Sequence, residues 1–181
     1  MLDRLTDSIP GFRDKYGHLF KEKSIGAKTT LLLEGEMARY MYFIREGCLR
    51  LWFNKDGKDI TFQFFFENQA VSSIESFIDG KPSLFSLESI EPSRIIAVSK
   101  KDFSQMLQDL PELNENFQKI VIQRLGHYAR LFLSRIKDSP MERYIDLVNN
   151  HPHVADRVPQ HYIASYLGIT AVSLSRLKKR L

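Results

Sequence analysis

Residues 158–181 at the end of the chain (VPQHYIASYLGITAVSLSRLKKRL) admit few folds. Counting out from Gly168, apolar side chains stand at Ile163, Leu167, Ile169, Leu174 and Leu177, with small Ala164 four residues before the glycine. This spacing predicts two short helices packed around a tight turn. The first runs from Gln160 to Leu167, Gly168 supplies the backbone freedom for the turn, and the Thr170 hydroxyl caps a second helix that reaches Lys179. Ala164 lets the two helices cross closely. The segment carries four cations, Arg176, Lys178, Lys179 and Arg180, and no carboxylate. The whole chain has 26 basic and 22 acidic side chains, a formal charge of +4, so residues 1–157 are balanced at 22 of each and the excess sits at this end. That is the electrostatic footprint of a surface that meets phosphates. The bland alternative is a two-helix cap whose cations complement the negative end of the last helix dipole. Such a cap does not require the small residue, the glycine and the flanking apolar positions together.

Composition narrows the rest. At 181 residues, 43% hydrophobic and 27% charged, the chain holds one large or two small domains of an ordinary globular protein. No apolar run approaches the ~20 residues of a membrane span, and the N-terminus MLDRLTDSIPGFRDKYG lacks the apolar centre of a signal peptide. The expectation is a cytoplasmic protein. Cys48 is the single cysteine; alone it can form neither an internal disulfide nor an iron–sulfur ligand set, and it reads as a small buried apolar residue.

In residues 1–27, Leu2, Leu5, Ile9, Phe12, Tyr16 and Phe20 recur at helical spacing around Pro10 and Gly11, predicting one or two short helices. From residue 29 to 99 the character changes: TTLLLEGE, YMYFIREGCLRLWF, DITFQFFF and SRIIAVS read as strands. Asp56-Gly57 marks a hairpin between two of them. Short strands punctuated by Gly35, Gly47, Gly57 and Gly80 predict a small antiparallel barrel or roll.

A barrel could house a metal-dependent enzyme, with imidazoles and carboxylates projecting inward. The five histidines are His18, His127, His151, His153 and His161, none of them between residues 19 and 126. His151 and His153 flank Pro152 in NNHPHVAD, which reads as a solvated loop. No nucleophile elbow or phosphate-binding glycine loop is present. Neither a catalytic residue, a metal site nor a cofactor is expected.

Beyond the strands, Lys101-Asp102-Phe103 opens a helical pattern, and Pro111 divides it from a longer one over residues 112–136. Leu113, Phe117, Ile120, Val121, Leu125, Tyr128, Leu131, Phe132 and Ile136 form an apolar stripe along it at spacings of three and four. The stripe is wide enough to serve the barrel on one side and a second subunit on the other. Ser139-Pro140-Met141-Glu142 has the capping-box pattern, so a new helix starts there. Lys137 and Asp138 form the hinge and the domain boundary, giving domains 1–137 and 138–181.

This order of parts resembles the Crp/Fnr family of bacterial transcription regulators, most like its short Bacteroidetes members. The most specific pieces are GEMARYMYFIREGCLRLWFNKDGKD (residues 35–59) and QHYIASYLGITAVSLSRLKKRL (residues 160–181). The resemblance implies an α+β fold: an N-terminal cyclic-nucleotide-binding-like antiparallel β-roll, a long connecting dimerisation helix, and a C-terminal all-α helix-turn-helix domain. It implies a homodimer whose second terminal helix enters the major groove of double-stranded DNA, with Ala171, Val172, Ser175 and Arg176 facing bases. Arg176 can donate two hydrogen bonds to guanine, and Ala171 and Val172 can meet a thymine methyl. Gln160, Thr170, Ser173, Lys178 and Lys179 complete the DNA-binding set, with Gln160 and Thr170 placed for phosphates. A small-molecule effector and RNA polymerase are the further partners it implies.

Two departures qualify the transfer. Cyclic-nucleotide-binding members carry Gly-Glu on a short helix of the roll, the glutamate holding the ribose, and then an Arg-Ser pair for the phosphate. Matching Phe77 and Gly80 to that cassette puts Ser72-Ser73 at the first pair and Ser83-Leu84 at the second, with Glu75 out of register and Arg94 beyond. A phosphate buried without a cation is costly, so the expectation is a regulator that does not respond to cyclic AMP. The family also follows its recognition helix with a β-hairpin wing, whereas this sequence ends at Leu181; a domain lacking the wing is expected, with Lys178, Lys179 and Arg180 compensating. The rival reading is a small-molecule or protein-binding module whose terminal helices only pack.

Overall fold

The computed structural model describes residues 9–179. Leu2 and Leu5 of the expected N-terminal stripe, and Arg180 and Leu181 at the other end, lie outside the described residues. Helix α1 (Phe12–Tyr16) follows Gly11, whose φ is 71°, and runs into a 3-10 turn at Gly17–Leu19. The helical expectation for residues 1–27 needs correction beyond this point, because Lys21–Ile25 is strand β1. None of its residues is buried, and the sheet order leaves it on an edge, paired only with residues 93–97. An exposed edge strand carries no apolar alternation to read.

Seven more strands follow: β2 (Thr30–Leu32), β3 (Tyr40–Glu46), β4 (Leu49–Lys55), β5 (Lys58–Phe65), β6 (Ala70–Val71), β7 (Ser86–Ser89) and β8 (Ser93–Ser99). They form two four-stranded sheets in the orders β1-β8-β3-β6 and β2-β7-β4-β5, the roll expected from the sequence. The β3–β8 register pairs Met41 with Val98, Tyr42 with Ala97, Phe43 with Ile96 and Ile44 with Ile95, and all eight residues are buried. Period two puts Met41, Phe43, Ile96 and Val98 on one face, where the Phe20 ring lies 6.3 Å from Phe43. Tyr42, Ile44, Ile95 and Ala97 occupy the other face, and Tyr42 shares a cavity there with Leu32 and Leu87 of the second sheet. The β4–β5 hairpin turns at Asp56 (φ 53°) and Gly57 (φ 78°), and Asn54 Oδ1 accepts the Gly57 N–H at 3.1 Å.

Strand β7, with the sequence SLES, is buried along its whole length despite being mostly polar. Its polar groups are satisfied across the sheet. Ser86 Oγ accepts from Glu34 N–H and Ser89 Oγ from Thr29 N–H, each at 2.9 Å. Glu88 accepts from Arg50 Nε at 2.7 Å, and the Arg50 guanidinium, itself 1% exposed, lies 5.0 Å from the Trp52 ring centre.

Helix α2 (Ile74–Asp79) is closed by Gly80 at φ 69°. Helix α3 (Lys100–Asp109) starts where Ser99 Oγ accepts the Asp102 N–H. The long α4 (Pro111–Lys137) follows, and Phe103 meets Phe77 and Phe117 edge-on at 5.8 and 5.2 Å. The Ser139–Glu142 capping box opens α5 (Pro140–Asn150). Where a solvated loop is expected around His151 and His153, the chain instead forms α6 (Pro152–Arg157): Pro152 sits at the first turn with φ preset for a helix, and Val154 is buried as its anchor. Helices α7 (Gln160–Leu167) and α8 (Ala171–Lys178) end the described chain.

Contacts divide the chain into two compact units. One holds the residues up to Phe53 together with Gln63–Gln118; the other holds Asn54–Phe62 and the residues from Lys119. Helix α4 runs through this division and ends at Lys137, the position expected for the hinge. Among the described residues no helix is long and apolar enough to cross a membrane.

Candidate nucleic-acid interface and roll cavity

The turn between α7 and α8 is built as its sequence predicts. Gly168 adopts φ 71°, and its N–H donates to the Ala164 and Ser165 carbonyls. Ile169 N–H then reaches the Ala164 carbonyl at 3.0 Å, closing α7 through a left-handed residue. Thr170 Oγ1 accepts the Ser173 N–H at 3.1 Å and so caps α8. Ile163, Ala164, Leu167 and Leu174 are buried between the helices and their supports.

At 100° per residue, Ala171, Val172, Ser175, Arg176, Lys178 and Lys179 occupy one arc of α8, and all six are exposed. Leu174 and Leu177 lie opposite. Gln160, first residue of α7, and Thr170 are exposed as well. Ser173 is different: it is half-buried and its hydroxyl lies 2.9 Å from Thr170 Oγ1, so it belongs to the cap rather than the exposed arc. Arg176, Lys178 and Lys179 have no carboxylate within salt-bridge distance among the described residues. The arc therefore presents uncompensated positive charge beside small side chains.

Three supports of this pair carry no sequence motif. Arg135 Nη2 donates to the Tyr166 carbonyl at 2.7 Å and Arg143 Nη2 to the Leu167 carbonyl at 2.9 Å, so two cations meet the negative end of α7. Arg143 Nη1 also donates to the Asp138 carbonyl at 2.7 Å, tying α7 to the end of α4. The Ser165 hydroxyl donates to the Asp59 carbonyl and accepts the Thr61 N–H, both at 2.8 Å, docking α7 on the β4–β5 hairpin.

In the roll, a cavity of about 530 Å³ opens among Leu32, Glu36, Arg39, Tyr42, Ser72 and Leu87. Of the five effector-pocket residues expected from the cassette, Ser72 alone lines it. Ser72 is buried and donates to the Tyr40 carbonyl at 2.9 Å. Ser73 is buried before α2; Ser83 is buried in a local turn with Phe85; Leu84 points to solvent. Glu75 is exposed and meets Lys81 at 3.3 Å. Arg94 is also exposed, on the interior strand β8, and bonded to Glu46 of the neighbouring β3 at 2.8 Å. The cavity's own polar groups are Arg39, Glu36, Ser72 and two tyrosines, one of which, Tyr42, has its phenol pushed up to about 12 by burial and then by Tyr40. The signal that could have found these residues was the GEMARY stretch itself, whose loop lines the opening.

Residues 22–109 match the family model of the cyclic nucleotide-binding domain. Solved structures match nearly the whole chain. FixK2 from Bradyrhizobium japonicum superposes with a TM-score of 0.80 at 18% identity, over 90% of this chain and 84% of that one. The c-di-GMP-responsive global regulator CLP of Xanthomonas campestris gives 0.75 at 14% identity, over 92% and 88%. The catabolite activator protein of Thermus thermophilus gives 0.60 at 18%, over 96% and 83%. The chain shares the fold of these structures, an antiparallel β-roll followed by helices. At such identities the likeness is one of architecture, and no curated protein matches the chain by sequence at a significant level. Within this fold, the roll with its cavity and the α7–α8 pair are the two candidate sites.

Proposed function

We propose that the chain is a homodimeric, sequence-specific DNA-binding transcription regulator, cytoplasmic and without catalytic activity, whose residues 138–181 read DNA and whose roll senses a ligand other than cyclic AMP. The observation that carries this reading is the α8 arc: three cations without described carboxylate partners beside Ala171, Val172 and Ser175, on a helix that Thr170 caps and a glycine turn joins to α7, whose end two arginines meet. A helix that only packed would not leave this face bare. Arg176 supplies base readout, and Lys178 and Lys179 supply phosphate contacts.

The dimer rests on α4. Ile122, Leu125, Phe132 and Ile136 are each about two-thirds exposed (68, 68, 65 and 66%). With Ala129 they repeat at intervals of three, four, three and four, the seam of a two-stranded coiled coil. Two-fold pairing through that seam presents two α8 helices to two half-sites.

Selection of bound duplexes from a random library tests the reading, followed by titration of variants against the selected and a scrambled site. Arg176→Ala should cost ~1 to 3 kcal/mol on the selected site and relax base choice at one position per half-site. Lys178→Ala should weaken both duplexes alike. A library that yields no enriched sequence, with no salt-dependent binding, would leave the packing-module reading standing instead.

A further inference from the structure

A second cavity, of about 430 Å³, lies wholly within the second unit, between the C-terminal half of α4, helix α5 and the end of α7. Neither the roll site nor the α8 arc includes it. Its cations are Arg130, Arg135 and Arg143, joined by His127 and His151, and its carboxylates are Asp138 and Asp146. None of the three guanidinium groups makes an ion pair among the described residues. Arg143 uses its two terminal nitrogens on backbone carbonyls, and its Nε is buried with no acceptor. A buried donor left without a partner is costly, and such groups in native folds mark strain or a missing ligand. Leu131, Leu147 and the Tyr166 ring give the same cavity an apolar wall.

We infer that this cleft binds a small organic phosphate monoester, its phosphoryl oxygens taken chiefly by Arg130, with Arg135 beside it, and its body resting on Leu131 and Leu147. The charge favours a dianion over a simple carboxylate. With both imidazoles neutral the lining carries one net positive charge, and with both protonated it carries three. Planar guanidinium groups match phosphoryl oxygens two at a time. His127 is held below its ordinary value chiefly by burial, then by Arg130, Arg124 and His151. His151 is lowered by burial and His153, against an opposing pull from Asp146. Both rings are therefore neutral near pH 7 and able to take up a proton when a dianion arrives. The bound molecule would bridge α4, α5 and α7, the three elements that Arg143 already joins.

The probe is phenyl phosphate, titrated calorimetrically into the full chain near pH 7.5 in two buffers of different ionisation enthalpy, with phenol and inorganic phosphate as comparisons. The expected result is saturable one-to-one binding of phenyl phosphate, weaker binding of inorganic phosphate, none of phenol, and net proton uptake. Arg130→Gln, at an exposed position with no partner to lose, should fold normally and weaken phenyl phosphate by about tenfold or more. Arg176→Ala should leave the binding unchanged. Absence of saturable binding, equal binding by Arg130→Gln, or loss of binding in Arg176→Ala, which would place the anion on the DNA face, each overturns the inference. Binding stands apart from the DNA reading: a chain that takes up phenyl phosphate and ignores DNA would remove only the latter.

Discussion

At Ser165 one hydroxyl serves two backbone groups of the β4–β5 hairpin, the Asp59 carbonyl and the Thr61 N–H. Thr61 is fully buried, so Ser165→Ala removes the described acceptor of its N–H at a place water does not reach. The expected loss is ~1 to 3 kcal/mol in thermal or denaturant unfolding, with Ser165→Thr recovering much of it; an unchanged melting curve for the alanine variant would mean the hairpin is not held there. The ion pair between Arg50 and Glu88 is a second such point. Removing the carboxylate by Glu88→Ala leaves a guanidinium 1% exposed without its described acid partner, and should cost ~3 to 5 kcal/mol. His127 adds a pH dependence. Its folded value lies below the ordinary 6.5, so between the two values the unfolded chain binds more protons. Its contribution is present above 6.5 and lost as pH falls through that value toward the folded one. The melting temperature should drop between about pH 7.5 and 5.5 and drop less in His127→Gln; parallel drops would show that another group titrates.

At the scale of elements, the sequence was readable where local chemistry and burial agree. Gly168, Thr170 and the apolar positions around them specify α7 and α8 residue by residue, and Ser139–Glu142 specifies the start of α5. The reading failed where burial and polarity part company. Strand β1 is exposed and fell inside a stretch read as helical; β7 is buried yet polar, its hydroxyls and carboxylate satisfied by partners 38 to 60 residues away, which no local window contains. Of the residues the cassette match placed in the pocket, Ser72 lines the described cavity, whose remaining lining comes largely from residues 35–40, before and at the start of β3. Helix α4 was legible as a helix, but its exposed seam includes Ile122 and Ala129, which the stripe read from the sequence did not contain. Its seam predicts that Phe132→Glu, which places a carboxylate at an exposed position and disturbs no buried contact, converts a dimer to a folded monomer. Sedimentation at micromolar concentration measures this, and a wild-type chain that stays monomeric would leave the seam unexplained.

For the whole molecule, the decisive property is that its excess charge and its unpartnered apolar seam lie in the same unit. If two copies join along α4, the α8 arcs act together, and the ionic contribution to DNA binding doubles with them. Each arc offers Arg176, Lys178 and Lys179. Two arcs with about two to three phosphate contacts each should displace four to six counterions, so the logarithm of affinity should fall against the logarithm of salt with a slope of roughly −4 to −5. The Phe132→Glu monomer keeps its arc but has one of them, so its slope should be about half, and its preference for the selected site over a scrambled one should collapse because the second half-site is unread. Lys178→Ala in the dimer should reduce the slope by about two, one contact per arc, while leaving the preference intact. The measurement is a fluorescence-anisotropy titration of all three proteins on both duplexes between about 50 and 200 mM salt. Equal slopes for dimer and monomer would mean that the phosphate contacts come from a surface other than α8, and the assignment of this helix to the DNA would fall with them.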